Sequence, residues 1–184
     1  MPRPARSGRA ATSVLGVRGG PPRSLIGMSG HRVEASRVVS VEPDLAFDRL
    51  MKVQLTDVFV RRFAALPAVT GVIDQPDGWG VVGQTRTIVL ADGGRVRETL
   101  TDIERPHSFA YRLDGIEGPL RHFVHTIDGA WTITPHDSGA RVGWAWTFYP
   151  KASPARLTTS VIGRMWMGYA DRALMQLEHI LTRD

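Results

Sequence analysis

A chain of 184 residues that is 42% hydrophobic holds enough apolar material for the core of one domain, not two. Its formal net charge of +5 is local: five of the 23 basic residues are arginines within the first 29 residues, which carry no acid, and the other 18 face 18 acidic residues. With no basic run and no RNA-binding motif outside that stretch, the charge is poor evidence for nucleic acid. The lack of cysteine excludes disulfides, thiolate zinc sites and cysteine nucleophiles.

Residues 1–29, rich in Arg, Gly, Pro, Ser and Ala, are read as a disordered basic tail or a start-site artefact, since Met28 itself opens a sensible beginning. Their one apolar patch, SVLGV, is too short for a signal peptide core or a membrane span. The domain is placed at 30–184. Val33, Ala35, Val39 and Val41 share one face of a first strand, and Pro43 starts a helix in which Ala46, Phe47, Leu50 and Met51 recur at helical spacing. A second short helix is expected from Thr56 to Leu66, ending before Pro67. Strands are expected at Val69–Ile73, Thr85–Leu90, Arg95–Ile103, Ser108–Leu113, His122–Ile133 (broken near Asp128-Gly129) and Arg141–Tyr149, which makes seven. A long helix spans Ser153–Thr182, with Ser153 as N-cap and Pro154 at the first position. Its apolar face is read as Leu157, Val161, Met165, Tyr169, Ala173, Leu177 and Ile180.

Gly78, Gly80 and Gly83 form a GxGxxG pattern, which in a dinucleotide site must open a helix. The chain continues instead into the β-branched run Thr85–Leu90 and an Asp92-Gly93 hairpin turn, so the match is accidental. The glycines belong to a loop leading into a strand.

The order β, α, α, six strands, long α predicts an α+β fold in which one C-terminal helix covers a curved antiparallel sheet. That order, with VEASRVVSVEPDLAFDRL, GVVGQTRTIVLADGGRVRETLTDIERPHSFAYRL and WTITPHDSGARVGWAWTF, resembles the polyketide cyclase/dehydrase and lipid-transport family, SRPBCC proteins of the START-like helix-grip superfamily. The resemblance covers roughly residues 31–182 and implies a Bet v 1-like helix-grip fold. It also implies a cavity for a hydrophobic ligand, or polyketide cyclisation and dehydration in that cavity.

In the strand Arg95–Ile103, Val96, Glu98 and Leu100 share a face, so Glu98 points inward, where a carboxylate must be paired, solvated or protonated. A two-residue turn at Asp92-Gly93 sets Thr87 opposite Glu98; a shift of one residue brings Arg86 there. A buried carboxylate satisfied by an Arg or a tyrosine hydroxyl and a ligand contact are equally good accounts of this residue. Trp144, Trp146 and Phe148 face one way on the last strand, as do Phe109, Tyr111 and Leu113 on an earlier one, with Val161, Met165 and Tyr169 on the helix; they fill a core or wall a pocket. His122 and His125, three apart on a strand, point to opposite faces and cannot easily share a metal. His125 has the parity of Phe123, Ile127, Trp131 and Ile133, provided Asp128-Gly129 does not shift the register; His107 and His136 fall in surface turns.

Ligand binding is accordingly expected at Thr87, Glu98, Tyr111, Leu113, His125, Trp131, Trp144, Trp146, Phe148, Val161, Met165 and Tyr169. Glu98 and His125 are the candidates for acid–base catalysis if there is any. The preferred reading is binding of a lipid-like, aromatic or polyketide-like molecule; the alternative is a cyclase or dehydratase, and a third class is a regulatory protein whose apolar helix face meets another chain. No metal, cofactor, nucleic acid or stable membrane insertion is expected, and the protein is taken as a cytoplasmic monomer or homodimer.

Overall fold

The computed structural model describes residues 30–64, 66–151 and 155–183; the basic tail and the Ser153–Pro154 cap lie outside them. In chain order the elements are β1 (His31–Val39), α1 (Pro43–Lys52), α2 (Leu55–Val58), β2 (Val69–Ile73), β3 (Thr85–Leu90), β4 (Arg95–Glu104), β5 (Ser108–Asp114), β6 (Val124–His136), β7 (Gly139–Pro150) and α3 (Ala155–Leu181). The seven strands form one antiparallel sheet in the order β1-β7-β6-β5-β4-β3-β2. From β2 onward, sequential strands pair with one another, and the long-range pairing sets β1 against β7, nine residues in register from His31 opposite Phe148 to Val39 opposite Ala140.

Alternation does the rest. On β5, Phe109, Tyr111 and Leu113 are buried while the residues between them are half-exposed, and on β7 Val142, Trp144, Trp146 and Phe148 are buried on the same side of the sheet. These inner residues join α1, α2 and α3 in one core. The C-terminal end of α3 is tied down twice: Arg37 of β1 pairs with Glu178, and the Arg49 guanidinium of α1 donates to the Leu181 carbonyl. A cation on the terminal carbonyl satisfies a group the helix itself leaves unpaired.

Four expectations are corrected. The second helix does not run to Leu66: it ends at Val58, where Val58-Phe59-Val60 brings β-branched and aromatic residues of modest helix propensity. The chain then turns so that Phe63 and Leu66 exchange backbone hydrogen bonds at 2.9 Å each. The β3–β4 connection is a three-residue loop, Ala91-Asp92-Gly93, with Gly93 at φ +81°. That loop moves the register by one, so Arg86, not Thr87, stands opposite Glu98.

The strand β6 does not break at Asp128-Gly129; it runs from Val124 to His136, preceded by a 3-10 turn at Pro119–His122, and its irregularity falls between Val124 and Thr126. Gly129 is there for room. It lies opposite Tyr111, and a Cβ at this position would stand 2.1 Å from the phenol Cζ. The buried stripe of α3 is Trp166, Tyr169, Ala170, Ala173, Leu174, Leu177 and Leu181, which keeps Tyr169, Ala173 and Leu177 of the expected face but not Val161, Met165 or Ile180. With 3.6 residues per turn, a constant step of four drifts around the helix, so a row through Tyr169 carries Val161 out to solvent, where it is 58% exposed.

Candidate functional site

Between the sheet and the helices lies a cavity of about 110 Å³. The sheet supplies Ile88, Val96, Leu113 and Ile127; α1 and α2 supply Leu50 and Val58, with Phe59 just beyond; α3 supplies Tyr169 and Leu177. Its aromatic walls are ordered against one another. Trp131 and Trp144, cross-strand neighbours on β6 and β7, stack with ring centroids 4.9 Å apart and planes 1° from parallel. Phe59 stacks on Tyr169 at 5.3 Å, and Trp146 meets Trp144 edge-on at 5.3 Å.

Charged and phenolic groups interrupt this apolar surface at a few places. Arg86 on β3 and Glu98 on β4 are 7% and 4% exposed and face each other directly. The guanidinium donates from Nε to Glu98 Oε2 at 2.8 Å and from Nη2 to Oε1 at 3.1 Å, a two-pronged pair. Its remaining end donates from Nη1 to Gln75 Oε1 at 2.9 Å, and its plane lies over the Trp79 ring at 4.3 Å. Burial pushes the Glu98 carboxyl above its ordinary value, while the charge and hydrogen bonds of Arg86 pull it back.

Tyr111, one strand further on, carries a hydroxyl that accepts hydrogen bonds from Trp144 Nε1 at 2.8 Å and Trp146 Nε1 at 2.7 Å. Burial, and then the nearby Glu98 charge, hold this phenol well above the ordinary tyrosine value, so it stays protonated. Tyr169 is also raised by burial, and its hydroxyl donates to the Pro67 carbonyl at a long 3.4 Å.

Of the residues expected from the sequence, Glu98, Tyr111, Leu113, Trp131, Trp144, Trp146 and Tyr169 line the cavity. Phe148 is buried behind Trp146, edge-on at 5.5 Å, and does not reach the wall; Met165 packs half-buried against the core outside it. Three lie elsewhere. Val161 is exposed, and Thr87 is on the outer face of β3, where its hydroxyl donates to Asp74 at 3.3 Å. His125 is exposed at the irregularity of β6, which breaks the parity it shares with Ile127. Glu98 and His125 are therefore not brought together.

Sequence reasoning missed Phe59, Val58 and Trp79 as walls. The signal for Trp79 was present: a tryptophan between two glycines, in a loop whose Gly78, Gly80 and Gly83 all take positive φ. That loop is pinned by Gln84, whose Oε1 accepts from the N–H of Gly80 at 2.8 Å and of Val81 at 2.9 Å. Its pinned shape holds the indole against Arg86. Among the described residues, no group of three or more His, Asp or Glu side chains is placed to hold a metal ion, and no helix is long and apolar enough to cross a membrane.

The arrangement is similar to solved structures of small helix-grip proteins. Ginseng major latex-like protein 151 from Panax ginseng matches with a TM-score of 0.62 at 14% identity, over 84% of this chain and 99% of that one. Protein XoxI from Bacillus cereus matches at 0.59 and 15% identity, over 80% and 93%, and Ara h 8.0201 at 0.59 and 14%, over 84% and 100%. At such identities these likenesses speak for the fold alone. No curated protein matches the sequence significantly. The family model described as polyketide cyclase / dehydrase and lipid transport matches residues 30–181, so the chain belongs to that family, as its strand order and helix-covered cavity lead one to expect.

Proposed function

We propose that this protein binds a small hydrophobic molecule in the cavity between sheet and helices. The observation that carries the reading is the aromatic enclosure itself: stacked indoles and phenols surround a space lined by a few fixed polar groups, the usual make-up of a small-molecule site. A core built only for stability has no need to leave that space open, because interiors pack to crystal-like density.

The rival reading, aldol cyclisation or dehydration by paired acid and base, has less support. General acid–base work needs both groups within hydrogen-bond reach of one substrate, and His125 is exposed away from Glu98. Glu98 has both oxygens engaged by Arg86, which favours a positioning role over proton transfer.

Native mass spectrometry of protein purified without added ligand, followed by extraction of any bound molecule, tests the proposal. A co-purifying apolar compound, or uptake of one from a panel of single-ring and acyl probes, is the expected result. A protein that stays empty against the whole panel contradicts it.

A further inference from the structure

Resting on the proposal that the cavity takes a ligand, we infer that it selects for a neutral molecule whose buried end is one aromatic ring bearing an acceptor oxygen, received by the Tyr111 hydroxyl, and that it rejects carboxylates. Three observations carry this. The volume of about 110 Å³ is of the order that admits a single ring, since a dry cavity of roughly 150 Å³ is known to hold benzene.

The second concerns the cation. Among the described residues Arg86 is the only positively charged side chain in the wall, and its charge is already paired: two of its five N–H groups go to Glu98, a third to Gln75, and its face lies over Trp79. A ligand carboxylate finds the one cation there neutralised by Glu98 and is repelled by that carboxylate, so its own desolvation cost is poorly offset.

The third concerns the phenol. Both indole N–H groups beside Tyr111 terminate on its oxygen, so the oxygen's lone pairs are occupied and its own proton is the function left over. Among the described residues no acceptor takes that proton. Because burial holds the phenol protonated, it remains a hydrogen-bond donor throughout the ordinary pH range. The two tryptophans thus orient the tyrosine as well as wall the cavity, and Gly129 beneath the ring leaves it the room to sit there.

The test compares three probes of one shape by calorimetry: acetophenone, ethylbenzene and benzoate. Acetophenone is expected to bind about tenfold more tightly than ethylbenzene, the usual worth of one good hydrogen bond, with benzoate undetectable. Equal affinities of acetophenone and ethylbenzene, or binding of benzoate, overturn the inference while leaving the cavity reading intact; failure of all three overturns both. Tyr111→Phe is expected to bring acetophenone down to the level of ethylbenzene. As that substitution strips two buried indoles of their acceptor and endangers the fold, a second measurement uses the unaltered protein. The infrared carbonyl stretch of bound ¹³C-labelled acetophenone is expected at the lowered frequency it has in alcohols, and a stretch at its hexane value overturns the assignment.

Discussion

Replacing Arg86 by leucine leaves Glu98 in place, 4% exposed, without its cationic partner. In the intact protein that carboxylate is held by two short charge-assisted bonds, 2.8 and 3.1 Å, between side chains that are 8% and 5% exposed. Removing one half of such a buried pair costs about 3–5 kcal/mol, a third or more of the stability of many domains. The loss must depend on pH in a definite direction. Burial already raises the Glu98 pKa, and Arg86 supplies the two influences that lower it, so the substitution raises it further. A folded-state pKa above the unfolded one means that the folded chain holds the proton more tightly. The stability this confers is present below the unfolded carboxylate value and is lost as pH rises through the folded value.

Urea unfolding of Arg86→Leu at pH 5 and pH 8 is therefore expected to show the larger deficit at pH 8. The double variant Arg86→Leu, Glu98→Leu is expected to recover most of the loss, because an apolar pair of similar bulk leaves no charge behind. A deficit that is the same at both pH values, or a double variant as unstable as the single one, would refute the reasoning.

Gly129→Ala places a methyl group 2.1 Å from the Tyr111 ring, so the ring must leave its seat. We expect a loss of about 1–3 kcal/mol in chemical unfolding together with a changed tryptophan emission; an unaltered protein would mean the ring has another place to go. His125→Ala, by contrast, changes an exposed side chain, and both unfolding free energy (within about 0.5 kcal/mol) and probe affinity are expected to stay put. All three tyrosines, Tyr111, Tyr149 and Tyr169, have raised pKa values, chiefly through burial. Their contribution to stability is intact below the ordinary phenol pKa of about 10 and lost as pH rises beyond it. Ultraviolet titration of the native protein should accordingly show Tyr111 and Tyr169 un-ionised until the chain unfolds, with Tyr149 ionising above the ordinary value, whereas in strong denaturant all three should ionise at the ordinary value.

Much of the fold could be read from local rules. Alternation on Phe109, Tyr111 and Leu113 and on Val142, Trp144 and Trp146 placed those residues inward, and they line or back the cavity. What local rules could not supply was register. Whether Glu98 faces Thr87 or Arg86 turns on one extra loop residue, and Asp92-Gly93 suits both a two-residue and a three-residue connection. The irregularity between Val124 and Thr126 leaves no mark in composition, yet it carries His125 out of the site. Val161 failed for a geometric reason, a step of four on a helix of 3.6 residues per turn. The walls from Val58 and Phe59 were hidden because a helix was expected to continue where β-branched and aromatic residues end it.

Whether the space between sheet and helices is a binding site is tested most directly by calorimetric titration of a single-ring apolar probe into the protein and into Val96→Phe, in which the larger side chain fills the cavity from the β4 wall. Binding to the parent protein and its loss in the variant, with the near-ultraviolet circular dichroism of the remaining core retained, is the predicted result. Absence of binding to the parent, or equal affinity for both proteins, would contradict it.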